Sequence, residues 1–427
     1  METGTKRRAE AAVGMRSSRR DFLKRGAVAA AVAGLGTTPR LVHAQAKEVV
    51  LAGLWPLTGP ASQWGVRNSR GERIVYDLVN DRGGIKSLGG AKIKYVVLDT
   101  ETKVDVAAIR AESLVAQNAV FIAGTSQSAA SLVVSQVCER LGVPFVAPVD
   151  IEPTLTARGF KYTFRASVSM EDVARDVVEF LDAAGKETGP KVGKVGIVCE
   201  DSVLGASAAK SLAKYSKAKG WDVVESITYN AASTKDFTGM VSRLKRNGAD
   251  VLIGHNKVQD YVLLIRTCIE LDYNPMGVAA AMGGAVSNSF PDALKEQSDH
   301  IVVIQPFSHD LKIPGLDDFR ARYKAAHQED ADLSSVATAS AAALVVRALE
   351  KAGSTDRAAI RNAMAAMDVG LDGNVFLPNG CKFDENGNNV RSVSVATQYK
   401  AGRLYTVAPK VLATTKPVWP KPKWARR

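Results

Sequence analysis

Apolar residues along this chain alternate between two periods. Short apolar runs at 49–54, 93–98, 120–123 and 143–146 are bounded by Gly, Pro and polar residues, and they read as strands. Helical spacing fills the intervals at 65–80, 104–116 and 129–141, with Ile74, Leu78 and Val79 on one side of the first. The rhythm then restarts. Helices at 173–181, 206–219, 237–246 and 261–271 alternate with strands at 195–198, 223–228, 251–253 and 301–304. The last of these strands has no polar alternation, as expected of a strand covered on both faces. Helices at 315–328, 335–352 and 356–367 follow. An Asn- and Gly-rich stretch at 373–405 then alternates at Val390, Val393 and Val395, which predicts a small antiparallel addition. The Lys/Pro/Trp tail beyond Pro409, residues 413–427 in particular, reads as loosely held. This order of elements predicts an α/β protein with two doubly wound parallel-sheet lobes, whose ligands belong at the carboxyl ends of the strands. Two such lobes joined by connecting segments make a cleft that closes.

The first 44 residues fall outside that rhythm. Arg19-Arg20-Asp21-Phe22-Leu23-Lys24 precedes a weakly apolar run from Gly26 to Gly36, and Val42-His43-Ala44 supplies small residues at the cleavage positions. Basic region, short apolar core and small-residue site predict an export signal cleaved after Ala44, and hence a periplasmic protein. The arginine pair resembles the twin-arginine signal. Met15, just ahead of it, is an alternative start. The run is shorter than the ~20 residues that cross a bilayer, and no later stretch reads as long and apolar enough to do so.

Removing this leader changes the charge. It carries nine basic and three acidic residues, so the net charge of +12 falls to +6. No Lys/Arg block with interleaved aromatics remains, which speaks against a nucleic-acid partner. Cys138, Cys199, Cys268 and Cys381 are widely spaced with no CxxC pair. Export permits disulfides. Cys138 and Cys268 fall within apolar helical patterns and read as buried thiols.

Several segments carry a resemblance. Leu57-Thr58-Gly59-Pro60-Ala61-Ser62-Gln63-Trp64-Gly65 and Asn80-Asp81-Arg82-Gly83-Gly84-Ile85 come first. Gly142-Val143-Pro144-Phe145, Leu155-Thr156-Ala157-Arg158-Gly159 and Phe164-Arg165 follow, then Lys235-Asp236-Phe237 and Phe383-Asp384-Glu385-Asn386-Gly387. In this order the chain resembles the leucine/isoleucine/valine-binding proteins of ABC importers. The resemblance implies a type I periplasmic binding fold, crossing between lobes near 166–169, 306–307 and 368–371. It thereby divides the chain into a first lobe of 45–167 with 307–368 and a second of 168–306 with 369–412. It also implies a small organic ligand and ABC permease subunits at the inner membrane as partners. The same fold in a receptor-linked sensor is the alternative.

Thr125, Ser126 and Ser128 link a strand to a helix, where exposed N–H groups and hydroxyls suit a carboxylate. Simple helix capping is compatible with the same residues. By resemblance, Ser128 is the serine that holds the ligand carboxylate. Trp64 matches an aromatic that covers the ligand side chain; packing within its own lobe is the alternative, and Trp55 is a weaker second candidate. Val149, Asp150 and Ile151 follow the fourth strand, where the family uses backbone groups and a hydroxyl that Ile151 lacks. Leu204 stands at a cleft tyrosine position, and Asn256 or Lys257 near another. The glutamate that the family uses for the ligand ammonium has no clear counterpart: that segment reads Ala281-Met282-Gly283-Gly284, and a misaligned glutamate with an ordinary branched-chain amino acid as ligand is the alternative. A buried ammonium without an acceptor is costly. Either Asp150, Glu200 or Asp201 supplies that acceptor, or the ligand is a carboxylate or amide with an apolar or aromatic body.

Catalysis finds no support. The loop after the first strand lacks G-x-G-x-x-G, and neither a Walker-type loop nor a GxSxG elbow occurs. His255, His300, His309 and His327 lack metal-ligand spacing. No cofactor is expected.

Overall fold

The computed structural model describes residues 48–371 and 375–424. The export leader and its cleavage point therefore lie outside the described residues. The first sheet is built from β1 (Glu48–Trp55), β2 (Lys92–Asp99), β3 (Phe121–Gly124), β4 (Phe145–Ala147) and β5 (Thr163–Arg165). Its order is β2-β1-β3-β4-β5, all parallel. The crossover helices are α1 (Ser62–Asp81), α2 (Val104–Ala116) and α3 (Ser128–Leu141). Period-two alternation divides β1 between two cores. Val49, Leu51 and Trp55 enter a cluster with Tyr76 of α1, while Ala52 and Leu54 join Ala107 of α2 and Val134 of α3. Both faces are covered, as a parallel sheet requires.

The second lobe repeats the plan with α4 (Met170–Thr188), β6 (Lys194–Glu200), α5 (Val203–Ala218), β7 (Asp222–Tyr229), α6 (Thr238–Arg246), β8 (Val251–His255), α7 (Val258–Glu270), β9 (Gly277–Ala281), α8 (Ser289–Leu294) and β10 (Val302–Gln305). After α9 (Leu316–His327), α10 (Leu333–Ala352), α11 (Arg357–Ala365), β11 (Asp368–Val369) and β12 (Cys381–Lys382), the hairpin β13 (Val395–Lys400) and β14 (Arg403–Ala408) completes the second sheet. Its order is β14-β13-β10-β9-β8-β6-β7, with β13 and β14 antiparallel. An antiparallel addition was anticipated over 373–405; it is this hairpin, which holds Val395 but neither Val390 nor Val393.

Caps explain several helix starts. Ser169 and Asp172 form a reciprocal capping box at α4, and Asp332 with Ser335 does the same at α10. α10 packs along α1 and belongs to the first lobe. It is long and apolar enough to pass for a membrane span, contrary to the sequence reading, but most of it is buried as a core helix.

Two further expectations are corrected. The third crossing was placed at 368–371, with everything after it in the second lobe. Instead β11 pairs with β12, Cys381 and Phe383 enter the first-lobe core, and Phe383 stacks on Phe164 at 5.0 Å. Asn388 bridges Arg165 beside β5, and Asn389 Nδ2 donates to the Ala166 carbonyl at 3.0 Å. The chain therefore crosses after Asn389. The reason is packing: Phe383 finds its apolar partners on the first sheet. The tail was expected to be loose, yet Trp419 and Lys421 are buried. Trp419 Nε1 donates to the Pro190 carbonyl and Trp424 Nε1 to that of Gln297, both at 3.0 Å. Two tryptophans with apolar bodies and one donor each fasten this segment to the second lobe.

Candidate functional site

In each sheet the strand order reverses once, between β1 and β3 in the first and between β6 and β8 in the second. At such a switch point the loops leaving neighbouring strands part and open a crevice at the carboxyl ends. The candidate residues gather at these two points. In the first lobe they are the loop leading to Trp64, the turn 125–128, and the loop 149–151 after β4. In the second they are Leu204 beyond β6, Asn256 and Lys257 beyond β8, and Met282 beyond β9. The lobes meet here, since α3 touches α5.

Loop geometry fixes the first wall. The Asp99 carboxylate accepts from the Leu57 and Thr58 amides at 2.8 and 3.2 Å and from the Thr58 hydroxyl at 2.6 Å, which holds the Thr58-Gly59-Pro60 turn. Trp64 follows in the first turn of α1 and is 38% exposed, so it is not a buried core aromatic. Trp55 is different: fully buried, its Nε1 donates to Glu72 Oε2 at 2.9 Å. It belongs to the core.

The serine-rich turn is more committed than its sequence suggests. Thr125 is buried, and its Oγ1 donates to the Gln127 carbonyl and lies 3.0 Å from Ser131 Oγ. Ser126 has a positive φ of 71°, and its hydroxyl accepts from Asn68 Nδ2 on α1. Ser128 Oγ donates to Asp150 Oδ1 at 2.9 Å. Asp150, only 4% exposed, also accepts from the Glu152 amide at 2.9 Å, while its Oδ2 has no partner. Burial pushes the Asp150 carboxyl above the usual range, against the opposing pull of the Glu152 amide, Ser131 and Ser128. Val149 is half-buried.

Apolar contacts join the lobes. Ile151 enters the second-lobe core, with Leu204 and Met282 packed against the same cluster, and its carbonyl accepts from the Met170 amide at 2.7 Å. Three candidates from separate segments thus share one core. Met282 has a φ of 57°, and the Gly284 amide next to it donates to the Asn256 carbonyl at 2.7 Å. Gly283, at φ +70°, lets this turn lie against Asn256, where an added Cβ would stand 2.8 Å from the carbonyl oxygen.

The second wall holds unsatisfied polar atoms. Asn256 is 1% exposed and neither its Oδ1 nor its Nδ2 has a partner. Glu200, 6% exposed, accepts from Ser202 Oγ at 2.8 Å through Oε1 and leaves Oε2 unpaired. His255 Nδ1 lies 2.8 Å from the Ala281 carbonyl. Lys257 is exposed ahead of α7. Asp201 is taken up locally by Asn230 Nδ2 at 2.7 Å, which leaves Glu200 and Asp150 as the candidate acceptors. Sequence reasoning missed Asn68, although it carried a signal: the buried stripe of α1 reads Gly65, Asn68, Gly71, Glu72, Tyr76, with two polar residues among small and aromatic ones.

The profile of the periplasmic binding protein family matches residues 48–403. Leu/Ile/Val-binding protein homolog 8 of Brucella abortus is 30% identical over 400 residues, covering 90% of this chain and 96% of its own length. A leucine-binding protein of Thermotoga maritima superposes with a TM-score of 0.72 at 20% identity, over 84% of this chain and 98% of its own. A solute-binding protein of R. palustris, solved with benzoate, gives 0.70 at 18% identity over 87% and 99%. These two structures support the fold. The matched proteins are named for binding, none for catalysis.

Proposed function

Because this chain belongs to the periplasmic binding protein family, we propose that it is the exported solute-binding component of an ABC importer. It captures a small organic ligand between its lobes in the periplasm and presents it to permease subunits at the inner membrane. The ligand is like a branched-chain amino acid, or an amide or carboxylate with an apolar or aromatic body. The supporting observation is that Ile151 of the first lobe enters the second-lobe core against which Leu204 and Met282 also pack, while Asp150, Glu200 and Asn256 hold buried polar atoms without partners. An apolar lining with a few convergent polar groups is the composition of a small-molecule site. The names of the relatives support transport and a leucine-like or benzoate-like guest.

Contacts to both lobes favour the closed form by their differential affinity, and closure signals occupancy to the permease. Deletion of the gene tests the transport role. Uptake of the solute that stabilises the purified protein should be lost and restored by complementation. Undiminished uptake would refute it.

A further inference from the structure

We infer that the segment after β14, residues 409–424, is a brace that sets how far the two lobes open, with Leu412 as its wedge and Asp310 as the buckle that ties it to the second connection between the lobes. Lobe movement belongs to the solute-binding reading above, and the inference rests on it to that extent.

The profile of the family ends at residue 403, before this segment begins. The segment is anchored along the second lobe. The Thr414 amide donates to the Thr406 carbonyl at 2.8 Å. The Val418 amide donates to Gln398 Oε1 at 2.8 Å, and Gln398 Nε2 donates back to the Val418 carbonyl at 3.0 Å. Lys410 pairs with Glu187 at 2.6 Å.

From that anchorage Leu412 reaches a core that neither lobe owns. It packs with Phe307 and Leu311 of the connection after β10, with Phe319 of α9 and Val336 of α10 from the first lobe, and with Val395 of β13 from the second. Close-packed side chains switch between discrete arrangements rather than stretch, so this core has to repack when the lobes rotate. Beside it the three connections border an apolar cavity, lined by Ala166 and Val168 at the first, Phe307 at the second and Val393 at the third, with Val336 of α10. Packing is incomplete at the pivot itself, which leaves room to rearrange.

Asp310 fastens the connection to the brace. Its Oδ1 accepts from Ser308 Oγ at 2.6 Å and from Thr406 Oγ1 at 2.7 Å. Its Oδ2 accepts from the Thr406 amide at 2.8 Å and from Thr414 Oγ1. The second connection, β14 and the brace thus meet on one carboxylate. Burial works against its ionisation, but the hydroxyls of Ser308, Thr414 and Thr406 hold the carboxyl below the usual range. Hydrogen bonds to an ionised acceptor are roughly twice as strong as neutral ones, so the three segments move as one body.

Spin labels on Glu112→Cys in the first lobe and Lys210→Cys in the second, both exposed positions, test this in the full chain without added ligand; the four native thiols are buried. Leu412→Ala and Thr414→Val should each shift or broaden the distance between the labels by more than about 2 Å. Asp310→Asn, which turns an acceptor toward donors into a donor, should do the same, and Thr414→Val carries the test of the buckle should that variant fail to fold. Val411→Ser, beside the wedge but 87% exposed, should leave the distance unchanged. Urea midpoints are read alongside, because a merely structural role lowers the midpoint and leaves the distance alone. Wild-type distances in Leu412→Ala and Thr414→Val overturn the inference, as does an equal change in Val411→Ser. Neither result touches the transport role, which the deletion phenotype decides separately.

Discussion

Trp419 lies on Gly277: a Cβ added to the glycine would come within 2.5 Å of the indole ring. The glycine opens β9 and the tryptophan comes from the last described segment of the chain. Absence of a side chain at one position thus makes the seat for another far away in sequence. Trp419→Ala should destabilise the protein by about 2–4 kcal/mol, near the range for large aromatic truncations in cores. Gly277→Ala should act in the same direction by displacing the ring. Urea denaturation of both variants checks this; wild-type midpoints would show that the tail is dispensable.

Glu72 is a carboxyl group inside the first lobe. Its Oε2 accepts from Trp55 Nε1 and from the Tyr95 hydroxyl, and its Oε1 has no partner. Burial pushes its pKa up to about 8 from 4.5, against the opposing effect of both donors. Between those two values the folded protein keeps a proton that the unfolded chain has released. The contribution of Glu72 is fully present below pH 4.5 and is lost as pH rises through 8. The slope approaches about 1.4 kcal/mol per pH unit. Glu72→Gln should flatten the pH dependence of unfolding across this window and leave the variant relatively more stable at pH 9 than at pH 4. Parallel curves for the two proteins would contradict it.

Elements with strong periodicity were legible in the sequence, down to both ends of α2 at Val104 and Ala116. β9 was not. It reads Gly-Val-Ala-Ala-Ala, with one β-branched residue, because a central strand under Trp419 and α4 needs small side chains more than β propensity. β5 spans three residues and owes its place to Phe145, Val146 and Ala147 alongside. The site was half legible. The strand-tip loops follow from the doubly wound plan, and the substitutions at Ile151, Leu204 and Met282 already pointed to a less polar wall. The tie between Ser128 and Asp150 was not legible, because it joins the first residue of α3 to the loop after β4, with that helix and strand between them in sequence.

The four cysteines are free and buried. Burial pushes the Cys199, Cys268 and Cys381 thiols up to about 12, and the Cys138 thiol higher still. A thiol held protonated and out of solvent reacts slowly with disulfide reagents. The native protein at pH 8 should therefore titrate with almost no fast thiol, and the protein in guanidinium with four. Fast reaction in the native state would place a cysteine at the surface, and fewer than four in denaturant would reveal a disulfide.

Ser128→Ala separates two roles for one hydroxyl. If the hydroxyl serves mainly to hold Asp150, its removal takes a donor from a buried carboxylate and costs about 1–3 kcal/mol of stability without any ligand present. The loss should grow with pH, because the hydroxyl favours the ionised form of a carboxyl whose pKa burial has raised. Below that pKa the folded protein holds Asp150 as the neutral acid, and the missing hydroxyl matters less. Trp64→Ala is the contrasting case. Its side chain is 38% exposed, so stability should change by less than about 0.5 kcal/mol while affinity for an apolar guest falls. Unfolding curves at pH 4 and pH 8, beside calorimetric titration with 3-methylbutanamide, place each residue. A Ser128→Ala protein as stable as wild type at both pH values would mean that the hydroxyl is held for the ligand rather than for Asp150.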